Sequence, residues 1–395
     1  SMAKDGGETN GPPAAKRAKV AEHFTEHFMD PEVDNLRIRE VRSVMSPQLL
    51  LAELPMTREG KATVMQGRRD VEAILRGEDK RLLVVVGPCA VHDPMAALEY
   101  ARRLRAERGR FSDQLCLVMR VFFEKRRYEG WHGLVNDPAL DESFLVNTGL
   151  RTARKLLQEI SHIGVPCAAE FLDTTTPQYL GDLVSWVRMG GNKLHHEMAS
   201  GLSVPVGFAI APGVEIAEAL RACAAAALPH CFFGTTKQGT TAIVHSLGNP
   251  DAHLVIRGGQ CKPSSLEDHV QQSLATVAEN PALRQALMVD CEAAADVAQD
   301  AVAMLQKGLC GVVGIMLRSN LVSGSQEIPK PEGEPDFGHR KSAGIVGVGT
   351  GGDVGEATRG RLRYGVSVTG PCMDWATTVN VFESLAAALR TRQRG

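Results

Sequence analysis

Aromatic residues make up only 5% of this sequence, neither charge sign dominates, and no apolar run is long. A membrane-spanning helix needs about 20 consecutive apolar residues, so a helical membrane span is excluded. The N-terminal stretch also lacks an apolar signal-peptide core, and a cytoplasmic location is expected. With 44 basic against 46 acidic residues the net charge is −2. That balance lacks the basic excess of a nucleic-acid binder, so neither nucleic acid nor membrane is an expected partner. The nine cysteines are scattered, odd in number and form no C-x-x-C pair. Neither a disulfide framework nor a zinc ribbon is suggested, and reduced, buried thiols are expected everywhere except Cys89.

What is present is a soluble-protein composition, 44% hydrophobic with 39 glycines in 395 residues. That length suits one large α/β barrel or two ordinary domains. Residues 1–33 are Gly-, Pro- and charge-rich without periodicity and are read as a disordered tail. Within it, residues 12–20 (PPAAKRAKV) match a weak nuclear-localisation pattern, for which a solvated basic tail is the plainer reading. From Leu36 to Leu75 helical pieces are expected, broken near Pro47 and Pro55.

A sustained alternation follows. Short β-branched or apolar runs occur at 82–86, 116–121, 165–171, 206–210, 231–235, 254–257, 287–291 and 312–317, with a weaker one at 185–189. Between them lie stretches at helical spacing, such as 95–106, 150–160, 215–227 and 293–306. Such alternation favours a closed parallel (β/α)8 TIM barrel with an N-terminal helical extension over residues 34–395. Nine candidate strands for eight places imply that one belongs to an added hairpin. Residues 326–363, rich in Pro, Gly and charge, are expected to form a flexible insertion over the catalytic face. Their VGVGTGGDVG run imitates a dinucleotide fingerprint but lacks the strand before it and the helix after it.

The octapeptide Gly87-Pro88-Cys89-Ala90-Val91-His92-Asp93-Pro94 resembles the G-P-C-S-I-H-D-P signature of type I 3-deoxy-7-phosphoheptulonate (DAHP) synthases. Further similar segments follow in order: 118–125 (VMRVFFEK), 130–138 (GWHGLVNDP), 169–173 (AEFLD), 176–180 (TPQYL) and 197–203 (EMASGLS). Segments 229–232 (PHCF), 256–259 (IRGG), 319–322 (SNLV) and 35–40 (NLRIRE) complete the series. The resemblance implies a TIM barrel that joins phosphoenolpyruvate to erythrose 4-phosphate. It also implies a divalent metal held by one thiolate, one imidazole and two carboxylates.

Carried over residue by residue, three of those four ligands are missing. Cys89 keeps the thiolate, but Ala293 stands where the family's D-F-S-H-A-N segment has its histidine. Arg318 stands for the glutamate of V-E-S-H-L, and Gly370 for the aspartate of S-I-T-D-A-C. A cation in place of a ligand repels a metal. No cofactor or metal is therefore expected. In the substrate cradle the resemblance keeps Arg120, Lys125 and Arg257, with Arg127 able to serve the second phosphate. A phosphate-binding arginine and a lysine are lost, the first partly replaced by Lys193.

These losses lead to an expected function: a repurposed, metal-free carbon–carbon bond-forming or cyclising enzyme, possibly of specialised metabolism. Two alternatives stand beside it, a non-catalytic regulatory relative and an active DAHP synthase with an altered metal shell. The expected partners are a small anionic or carbonyl-bearing substrate and further copies of the chain, as dimer or tetramer. Candidate catalytic residues each carry a plain and a sharp reading. Cys89 is a relic thiol or an activated nucleophile. Arg318 fills space while pairing with Glu170 or Asp290, or it polarises a carbonyl. His92 and His195 are structural histidines, yet His195 is the first choice and His92 the second if a general base is needed. Glu170 orients neighbouring cations.

Overall fold

The computed structural model describes residues 33, 35–38, 40–125, 130–209, 216–258, 266–279, 283–284, 286–293, 295–307, 311–329 and 360–394. Nearly all of the expected tail, Arg127 and most of the 326–363 insertion lie outside the described residues. The chain divides into a unit ending at Val44 and a unit from Met45 to Gly395. In the first, the described residues contain no helix, and Arg42 pairs with Glu40 at 2.9 Å in solvent. The helical piece expected from Leu36 therefore begins later. Its start is set by Ser46, whose hydroxyl caps the N–H of Leu49, and by Pro47 in the first turn of α1 (Pro47–Glu53).

The second unit is a closed eight-stranded parallel barrel, ordered β1-β10-β9-β8-β5-β4-β3-β2. Its strands are β1 (Leu82–Gly87), β2 (Leu115–Arg120), β3 (Cys167–Glu170), β4 (Trp186–Met189), β5 (Val206–Ala209), β8 (Ala252–Arg257), β9 (Leu287–Asp290) and β10 (Val312–Arg318). β6 (Cys231–Thr235) and β7 (Thr241–His245) pair antiparallel as a separate hairpin. The ninth expected strand is thus the 231–235 run, while the weak 185–189 run closes the barrel. Before β1 comes α2 (Arg58–Leu75); outer helices follow the strands, among them α3 (Pro94–Arg110), α4 (Val146–Ile163), α5 (Thr176–Leu180) and α6 (Lys193–Ala199). Further on come α7 (Ile216–Ala226), α8 (Leu266–Ala278), α9 (Ala295–Gln306) and α10 (Trp375–Arg394). Among the described residues no helix is long and apolar enough to cross a membrane.

The strands are buried on both sides, so their two-residue period separates two cores. Leu82, Val84, Val86, Leu115, Leu117 and Met119 pack in the layer between barrel and helices. Leu83, Val85, Cys116, Val118, Ala168, Trp186, Val255, Met288 and Met316 fill the barrel interior, joined by Val71, Ile74 and Leu75 of α2. Gly207 makes room for Trp186, whose ring occupies the space that a β-carbon on β5 would need.

Local chemistry shapes the signature octapeptide. Gly87 ends β1, and Asp93 accepts from the N–H groups of Met95 and Ala96 to cap α3, with Pro94 in its first turn. After β2 the chain returns through residues 130–137 and lies beside 123–125: Lys125 N–H donates to His132 O and Val135 N–H to Phe123 O. Gly133 permits this approach. It has φ +107°, and a β-carbon there would run into the carbonyl oxygen of Phe123. Gly133→Ala is expected to cost about 3 kcal/mol or more, from backbone strain and the clash together, read as a lowered thermal midpoint. An unchanged midpoint would show that the segment relaxes freely.

Candidate active site

Seven strand-end residues continue the inward parity of the interior core. Gly87 follows Val85, Arg120 follows Val118, Glu170 follows Ala168 and Arg188 follows Trp186; likewise Arg257 follows Val255, Asp290 follows Met288 and Arg318 follows Met316. Six of the seven are charged. They cap the apolar interior with alternating charges at the C-terminal ends of the strands, the end where barrels of this kind place their chemistry.

Arg120 is buried and lies with its guanidinium 3.8 Å from the centre of the Phe122 ring. Its Nε donates to Pro88 O at 3.0 Å and its Nη2 to Cys89 O at 3.1 Å. Lys125 Nζ donates to the same Cys89 carbonyl at 2.8 Å and to Cys89 Sγ at 3.3 Å. Burial alone would push the Cys89 thiol up. The charges of Lys125, Arg120 and Arg318, with a hydrogen bond from Thr369, outweigh it and bring the thiol down to about 6. The surrounding cations thus favour the thiolate form. Burial pulls both Lys125 and Arg120 below their ordinary values, the Cys89 charge opposing it in each case.

Arg188 was not singled out from the sequence. A single arginine in the four-residue strand Trp186–Met189 gives little signal, yet its neighbour in register is Glu170. Its Nη1 donates to Glu170 Oε1 at 2.6 Å, and its Nη2 lies 3.9 Å from Asp290 Oδ2. Burial works against the charge of Arg188, but Glu170 and Asp290 hold it above its ordinary value. Glu170 thus orients a cation, though one that sequence pattern alone does not reveal.

Arg318 was expected to pair with Glu170 or Asp290 and does neither. Glu170 is taken by Arg188, and Arg318 Nη2 donates instead to Glu292 Oε1 at 2.8 Å. Glu292 reaches it because its backbone is left-handed, φ +54°, a strained conformation for this residue type. Its carbonyl also accepts from Arg318 N–H at 2.6 Å, and Arg257 Nη1 lies 4.0 Å from its carboxylate.

The remaining candidates sit apart from these ion pairs. His195 is buried in α6, with Nε2 3.4 Å from the Leu172 carbonyl. His92 is buried with its ring edge-on to Trp131 at 6.4 Å. Lys193 lies at the surface: its side chain is 83% exposed and bridges Glu197 at 3.6 Å. It opens α6, which Asn192 caps by accepting from the N–H of His195. His253, fully buried against Trp186, is pushed down to about 4 by desolvation and stays neutral.

The residues at these positions do not fit the family's metal. A β-carbon on Gly370 would stand 3.1 Å from Cys89 Sγ and 3.4 Å from Arg318 Nη1, so the positions expected to ligate converge. Of their side chains only the thiolate is a donor, while Glu170 and Glu292 are each bound to an arginine. A divalent ion about 4 Å from a guanidinium is opposed by roughly 8 kcal/mol at an effective dielectric constant near 20. Among the described residues no group of three or more His, Cys, Asp or Glu is placed to hold a metal.

Comparison with known proteins bears on what this mouth serves. The DAHP synthetase I family profile matches residues 57–341. The Phe-sensitive phospho-2-dehydro-3-deoxyheptonate aldolase of Escherichia coli K12 is 40% identical over 379 residues, covering 92% of this chain and 100% of that protein. A putative phospho-2-dehydro-3-deoxyheptonate aldolase of Schizosaccharomyces pombe is 38% identical, covering 93% and 96%. The solved structure of the Francisella tularensis phospho-2-dehydro-3-deoxyheptonate aldolase superposes with a TM-score of 0.78 at 34% identity, covering 90% of this chain and 99% of that one. These matches overturn the expectation of a barrel diverted to another task, because relatives so close over nearly the whole chain carry one and the same activity in their names. The closed barrel, its charged mouth and this end-to-end similarity lead to one assignment: the chain belongs to the DAHP synthetase I family.

Proposed function

We propose that the chain condenses phosphoenolpyruvate with erythrose 4-phosphate, the aldol-type carbon–carbon bond formation named by its relatives. The observation that carries this reading is the cationic cradle at the barrel mouth. Arg120 and Lys125 converge on the Cys89 carbonyl from one side, and Arg257 closes the other as the last residue of β8. Two guanidiniums and an ammonium suit the carboxylate and phosphate of an enol phosphate, forks for the planar group and a point charge for the phosphate. All three are anchored on strand ends or their immediate extensions, which favours a fixed geometry. Self-association belongs to the same reading. Phe233 and Ile243, a cross-strand pair on the β6–β7 hairpin, are 78% and 65% exposed.

The test is a coupled assay with phosphoenolpyruvate and erythrose 4-phosphate, run with and without Mn2+, following loss of the enol absorbance and release of phosphate. Both are expected to proceed together and to require both substrates. Binding of phosphoenolpyruvate without its consumption would overturn the proposal in favour of a non-catalytic relative.

A further inference from the structure

We infer that Arg318 stands in for a divalent cation, so that the barrel mouth takes up no divalent metal and keeps a guanidinium facing Cys89. Arg318 is the last residue of β10, directly across from Gly87 in register, and its parity turns it inward over the interior core. The point a Gly370 β-carbon would occupy lies 3.4 Å from its Nη1 and 3.1 Å from Cys89 Sγ. One short gap thus separates the Arg318 guanidinium from the retained thiol.

The arginine is held there. Its side chain is 18% exposed, and Glu292 anchors it through both carboxylate and carbonyl. Its Nε is buried and has no hydrogen-bond partner among the described residues. The surroundings deepen the bias. Arg120, Lys125, Arg188, Arg257 and Arg318 face Glu170, Asp290 and Glu292, so positive side chains outnumber carboxylates before any ion arrives. Among the described residues of the mouth a hard divalent cation finds no free carboxylate pair, and the retained thiol is already solvated by Lys125. An anionic or carbonyl oxygen is the partner this arrangement favours.

The experiment reads metal rather than turnover, so its failure is separable from failure of the proposed condensation. Mn2+ is titrated into the full chain and the free ion followed by electron paramagnetic resonance. All added Mn2+ is expected to remain free to about millimolar concentration. Uptake of one ion per chain at micromolar concentration, lost in Cys89→Ser, would overturn the inference. A second pair of proteins isolates Arg318. The double variant Ala293→His, Gly370→Asp is expected to leave Mn2+ free, whereas adding Arg318→Glu to it is expected to create a site for one ion. Equal behaviour of the two, whether both bind or neither does, would overturn the role given to Arg318. Thermal melting of each variant confirms that the barrel is folded.

Discussion

Lys125→Met is expected to lower kcat/KM for phosphoenolpyruvate by about 100- to 1,000-fold, the loss typical when one preorganised donor is removed from a desolvated site. Methionine keeps the length and bulk of the side chain, and the backbone bond from residue 125 to His132 is untouched. What disappears is a buried ammonium that donates to the Cys89 carbonyl and thiol at 2.8 and 3.3 Å. A second readout separates this from mere loss of fold. With the Lys125 charge gone, burial counts for more at Cys89, and the thiol is expected to climb from about 6 toward or past its ordinary value of 9.0. Ultraviolet absorbance of the thiolate against pH measures that climb directly. Activity within threefold of the unaltered chain, or an unmoved thiol, would show that Lys125 belongs to neither cradle nor thiolate.

The second large effect concerns stability. Glu124 is buried beside Asp173, with Thr176 between them. The Thr176 hydroxyl lies 2.9 Å from Glu124 Oε1 and 2.6 Å from Asp173 Oδ2, yet it has a single proton to give. The other contact needs a proton on a carboxyl group. Glu124 is the buried member of the pair, whereas Asp173 is exposed to water, so Glu124 is the proton holder. Burial and the Asp173 charge accordingly push Glu124 up to about 8. The folded value exceeds the unfolded one. The stability it contributes is therefore fully present below about 4.5 and is lost as pH rises toward and through 8. Over that window the cost reaches about 3–5 kcal/mol, because each tenfold change in proton affinity is worth about 1.4 kcal/mol. Glu124→Gln imitates the protonated carboxyl. Its urea midpoint is expected to stay nearly level from pH 6 to pH 9, while that of the unaltered chain falls. Parallel curves would place the proton elsewhere.

How much of this was legible beforehand follows from which residues carry local signal. The β-branched runs of Leu82–Gly87 and Val312–Arg318 announce buried parallel strands without help from distant residues. Trp186–Met189 is short and interrupted by Arg188, and Glu170 and Asp290 on other strands make that arginine tolerable inside a barrel. The substitutions at 293, 318 and 370 are legible in the sequence itself. The partner of Arg318 is not, because Glu292 reaches it through a left-handed turn that no residue pattern at that position signals. Likewise, Glu124 sits in a segment that reads as family likeness, whereas its proton depends on Asp173 and Thr176 from the next strand's loop.

The shared parity of the charged strand ends sets a rule for how this mouth can change. Moving any one of those strands by a single residue would turn its charge out of the mouth and into the apolar layer beneath the helices, while carrying a hydrocarbon side chain in. Such a slip costs twice, through a desolvated charge outside and a lost ion partner inside. Exchange of one side chain for another leaves the frame untouched. New chemistry can therefore enter this barrel by replacement at fixed addresses, as at Arg318, and changes of length are confined to the loops beyond them.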